Sequence, residues 1–67
     1  MANHPPTAIR AAIFRSGQRQ IVIAKKARIH ESRLSKIANG HLEASDEEKK
    51  RLARVLNSDV NELFPEP

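Results

Sequence analysis

Between Arg10 and Lys36 the chain places eight cations, Arg10, Arg15, Arg19, Lys25, Lys26, Arg28, Arg33 and Lys36, against a single acid, Glu31. Residues 1–40 therefore carry a net charge of +7, whereas residues 41–67 hold four cations and seven carboxylates, net −3. One half is built to meet a polyanion and the other is not. The plain alternative is a solvated basic surface. With two Phe and no Trp or Tyr, platforms for stacking single-stranded bases are missing, so duplex DNA is the expected partner.

Chemistry of the catalytic kind has no comparable footing. His4, His30 and His41 stand in a tail, a turn and a loop, without a paired acid or thiol at ligand spacing. The two glycines read as helix stops rather than a phosphate-cradling loop. The chain has no cysteine, which excludes disulfides and thiolate metal sites. The expectation is a protein that is not an enzyme and uses no cofactor or metal.

The cations need elements to hold them, and the stretch Gln20–Asn39 supplies these. Ile23, Ala24 and Ala27 have the spacing of one face of a short helix, and Leu34 and Ile37 repeat a helical spacing. Ile29 is out of phase with both groups, as suits a residue plugging the corner between two helices. Ala24 leaves room for a close helix crossing. Two short helices joined by a tight turn form a helix-turn-helix, whose second member can enter a major groove.

The rest of the chain frames that pair. At 67 residues it is read as one domain near the lower size limit for a self-sufficient core. Met1 to Pro6 reads as a mobile tail, and 7–67 as the folded domain. Thr7 or Pro6 opens a first helix bearing Ala8, Ile9, Ala12 and Ile13, and Ser16-Gly17 stops it. The second helix is expected from Arg19 or Gln20 to Ala27, and the third from Glu31 to Ala38. Asn39-Gly40 ends the third, both residues tolerating positive φ. Ser45 and Glu48 form a capping box for a fourth helix, with Leu52, Val55 and Leu56 inward. Asn57 stops it, and Ser58 or Asp59 starts a short fifth helix bearing Val60, Leu63 and Phe64. Helices with short connections and no strand pattern make an all-α fold. No apolar run reaches the ~20 residues of a membrane span, and no signal-peptide core is present, so a cytoplasmic location is expected.

Four words now stand together: Gly17-x-x-Gln20, Ile23-Ala24-Lys25-Lys26-Ala27, Leu34-Ser35-Lys36-Ile37-x-Asn39-Gly40 and Val60-Asn61-Glu62-Leu63-Phe64. Through them the chain from Ile9 to Phe64 resembles the Cro/C1-type (Xre-like) helix-turn-helix domains of phage repressors and small bacterial regulators. The resemblance implies a compact five-helix lambda-repressor-like domain, a recognition helix at the third position, and homodimers on two-fold operators. It places Gln20 as a phosphate-contacting glutamine, and Glu31, Ser32 and Lys36 on positions facing base edges. Arg33 and Asn39 fall on positions touching backbone phosphates, and Arg19 and Ser35 complete the candidate set. Each also has a plainer reading: Gln20 as a polar first-turn residue, Glu31 as a helix-dipole charge, Ser32, Ser35 and Lys36 as solvated helix residues.

Departures from the family pattern mark where this chain differs. Arg28 stands at a turn position typically glycine, with a strain cost of about 1 kcal/mol. His30 replaces a Ser or Thr N-cap. Ile13 replaces a commonly charged residue, and Ile21-Val22 a commonly polar pair. Core enlargement is one account of them; a protein-partner surface of Phe14, Ile21 and Val22 is the other. The function expected is a DNA-binding transcriptional regulator, a repressor acting by occlusion of an operator. Two alternatives stay open: an antitoxin that binds both DNA and a toxin, and an interaction adaptor using the same fold without reading DNA.

Overall fold

In the computed structural model, which describes residues 7–65, the chain forms α1 (Ala8–Ser16), α2 (Gln20–Ala27), α3 (Glu31–Ala38), α4 (Asp46–Val55) and α5 (Val60–Leu63). The fold is all-α, with no strand among the described residues. The tail read at residues 1–6 lies outside them. No described helix is long and apolar enough to cross a membrane.

Local chemistry sets each boundary. The Thr7 hydroxyl accepts from the Arg10 N–H at 3.2 Å, capping α1. The same hydroxyl donates to the Ala38 carbonyl at 2.6 Å, so the start of α1 is fastened to the end of α3. Gly17 ends α1 in the left-handed region, φ 72°, where glycine meets no Cβ penalty. Arg28 ends α2 in the same region at φ 58°, the strained position anticipated from its type. Its N–H donates to the Lys25 carbonyl at 3.2 Å, and the Ile29 N–H to Ala24 at 2.9 Å. That pair of bonds closes the corner, and Ile29 is buried in it.

The third helix starts without Ser or Thr and is capped all the same. His30 Nδ1 accepts from the Ser32 N–H at 3.3 Å and lies 2.9 Å from Ser32 Oγ. At the other end Gly40 takes the positive φ of 79°, while Asn39 stays at −88°. Ser45 accepts from the Glu48 N–H at 3.2 Å and its own N–H donates to Glu48 Oε1 at 2.8 Å, completing the capping box of α4. Asn57, at φ 53°, turns the chain out of α4. The Asp59 N–H donates to Glu62 Oε1 at 3.2 Å as α5 begins.

The core draws on every helix. Ile23 from α2, Leu34 from α3 and Leu52 from α4 are its fully buried centre. Ile9 and Ala12, Ala24 and Ala27, Ile37 and Ala38, Ala53 and Leu56, and Leu63 surround them. α2 packs on both α3 and α4, α4 on α5, and α1 on α5. Alanine at 24 and 27 lets α2 approach its two neighbours closely. Ile13 packs against the core, which accounts for an apolar residue there. Val55, expected inward, is only half-buried; Val60 and Phe64 likewise sit at the core's rim, while Leu63 goes fully inside.

Candidate nucleic-acid interface

Burying Leu34, Ile37 and Ala38 leaves α3 with a polar outer face. Glu31, Ser32, Lys36 and Asn39 are exposed, and Ser35 is half-exposed. Ser32, Ser35 or Lys36, and Asn39 recur at helical spacing, so they form one stripe along the helix. α2 holds α3 in this orientation from the inner side, through the apolar contacts of Ile23, Ala24 and Ala27. The stripe therefore faces away from the core.

Arg19 and Gln20 lie at the opening of α2. Arg19 is the exposed N-cap residue, with no side-chain cap hydrogen bond, and Gln20 is half-buried in the first turn. Candidate residues thus come from two places, the start of α2 and the outer face of α3.

Arg33, expected at the phosphate backbone, is half-exposed and has a partner within the fold. Its guanidinium engages both oxygens of Glu48, Nε donating to Oε2 at 2.5 Å and Nη2 to Oε1 at 2.9 Å. The Glu48 side chain is 11 % exposed against 41 % for Arg33. Paired charge and hydrogen bonding stabilise the carboxylate. The Arg33 hydrogen bonds, helped by the Ser45 N–H, hold Glu48 at about 2, against 4.5 for an ordinary glutamate. The same bonds raise the Arg33 guanidinium above its usual value. Glu48 thus serves two elements at once: it caps α4 and fastens α3 to it. The positive charge expected on the phosphate backbone is here shared with an internal acid, and Lys36 remains as the cation of α3 outside that pair.

Asn39 is also engaged, accepting from Arg10 Nη1 through its Oδ1 at 3.2 Å. Together with the Thr7–Ala38 bond, this gives the C-terminal end of α3 two side-chain links to α1. Sequence reading left Arg10 and Glu48 out of the site. Both reach α3 across gaps of 29 and 15 residues, which no local spacing can display. Their charge was visible, their partners were not. On the α2 side, Lys26 Nζ donates to Gln18 Oε1 at 2.8 Å.

No group of three or more His, Cys, Asp or Glu that could hold a metal occurs among the described residues. No family model, curated protein or solved structure matches the chain.

Proposed function

We propose that this protein is a sequence-specific duplex-DNA-binding transcriptional regulator with the Cro/C1-type helix-turn-helix architecture, acting as a homodimer on a two-fold operator. The observation that carries the reading is the outward polar stripe of α3, Ser32, Ser35, Lys36 and Asn39, on the basic half of the chain. A short, rigid helix braced by a second helix is the form that fits a major groove. In this reading Glu31, Ser32 and Lys36 meet base edges, while Arg19, Gln20 and Asn39 meet the backbone. Arg33 sets the angle of α3 through Glu48 and adds its charge to the field at the edge of the site.

A single domain of this size covers too few base pairs for useful specificity, so two copies on half-sites about 34 Å apart are proposed. The dimer surface proposed is the rim of α5. Leu63 is buried, but Phe64 shares a cleft with Leu42, which is exposed. Bound in this way, the dimer acts by covering the promoter.

Selection of bound duplexes from a random pool, followed by sequencing, tests the proposal. Enrichment of a palindromic motif is the expected result. An unenriched pool would favour the adaptor reading of the same fold.

A further inference from the structure

We infer that the outer face of α2, built from Ile21, Val22, Lys25 and Lys26, is a docking surface for a protein partner that presents an acidic amphipathic helix. The inference stands on exposure and charge in α2 and does not depend on α3 reading DNA. The first observation is that α2 is apolar on both sides. Ile23, Ala24 and Ala27 fill the core, yet Ile21 is 41 % exposed and Val22 37 % exposed on the opposite surface. Both are β-branched, and at an exposed helix position Gln, Lys or Glu would hold the helix better. Neither local helix formation nor the core accounts for them.

The second observation is the charge around them. Lys25 lies one turn beyond Ile21 and Lys26 one turn beyond Val22, all four exposed. The apolar pair is therefore continued along the helix by a cationic pair. From Thr7 to His30 the chain contains no acid, and where α4 borders this face Glu47 shares a cleft with Lys26, Arg28, Arg51 and Arg54, which leaves the surroundings cationic. Two copies of this face brought together across a two-fold axis would oppose like charges, so a second copy is disfavoured. A phosphate backbone would satisfy the lysines but leave the branched side chains in contact with charged oxygen. An amphipathic helix satisfies both halves: its apolar stripe covers Ile21 and Val22, and flanking Asp or Glu meets Lys25 and Lys26. The patch is small, which fits a transient contact.

The test uses the full chain and a designed peptide of about 18 residues, five helical turns, with Leu at i, i+3, i+4 and i+7 and Glu on the other faces. A peptide of the same composition with its leucines scattered is the control. Binding is followed by amide chemical-shift mapping and titration. Shifts centred on Ile21–Lys26 are expected, with the control at least tenfold weaker. Ile21→Gln/Val22→Gln and Lys25→Glu/Lys26→Glu should each weaken binding at least tenfold. The first pair improves helix propensity, and an unchanged circular dichroism melt checks that the fold is kept. Equal binding of the control peptide, shifts centred on α3, or unchanged affinity in the glutamine variant would overturn the inference. So would a homodimer that the glutamine variant converts to monomer, which would make a second copy the occupant. A tenfold loss of duplex affinity in that variant would equally overturn it, by assigning the face to DNA.

Discussion

Arg33 on α3 and Glu48 on α4 are joined at two points, and Glu48 also accepts from the Ser45 N–H that opens α4. α3 packs on α2, and α4 on both α2 and α5, so this side-chain pair is a direct tie between the third helix and the fourth. A two-point guanidinium–carboxylate contact fixes direction as well as distance. The orientation of α3 in the fold thus depends on an acid carried by α4.

The first prediction concerns that acid and pH. The Glu48 carboxyl is lowered in the folded state, to about 2 from 4.5. A depressed carboxylate contributes stability that is present above the unfolded value and is lost as pH falls through the folded one. Chemical denaturation should therefore show stability declining between about pH 5 and pH 2. In Glu48→Gln that part of the decline should vanish, at a cost near neutral pH of about 1–2 kcal/mol. An identical pH profile in the variant would show that the pair does not stabilise the fold.

Arg33 has a role in the tie that is separable from phosphate binding. Each phosphate contact contributes about −0.9 to the slope of log K against log salt. If the guanidinium acts mainly on Glu48, Arg33→Ala should lower stability while changing that slope by clearly less than one. A full change of about one would place Arg33 on the backbone after all.

Which parts of this molecule were legible in the sequence follows from how far each interaction reaches along the chain. Gly17, the Ser45–Glu48 capping box and the apolar spacing of α2 and α3 are local, and each announces itself within a turn or two. The charge imbalance is a sum and needs no geometry. Asn39-Gly40 was legible as a stop, but only Gly40 takes the positive φ. His30 is legible as a departure from the usual Ser or Thr N-cap, but that its Nδ1 accepts from the Ser32 N–H is seen only in the fold. The ties of Arg33 to Glu48, Arg10 to Asn39 and Thr7 to Ala38 join residues far apart in sequence. Nothing in spacing marks such partners, so the bracing of the candidate site came into view only with the fold.

A third prediction addresses the corner between α2 and α3. Arg28 holds φ 58°, where a non-glycine residue carries strain of order 1 kcal/mol. Arg28→Gly should stabilise the fold by about 0.5–1 kcal/mol, the gain offset in part by greater freedom of the unfolded chain. Thermal melts read this directly. A lower melting temperature would mean that the arginine side chain contributes more than its backbone strain removes.

Thr7 offers a fourth. It caps α1 and donates to the last carbonyl of α3. Thr7→Ala should cost about 1–2 kcal/mol, and Thr7→Ser, which keeps the hydroxyl, much less. Equal losses in the two variants would trace the effect to the methyl group instead.

The central claim is that α3 reads base sequence through its outer face, and base preference in Lys36→Ala and Glu31→Gln tests it most directly. Each variant is competed against operators carrying single base-pair changes. Lys36 suits guanine O6 and N7, and Glu31 suits cytosine N4. Each substitution should cost about 1–3 kcal/mol on the cognate site and relax preference at one position per half-site. If both variants change affinity uniformly and leave every base preference intact, these residues do not read sequence and the account of α3 is wrong.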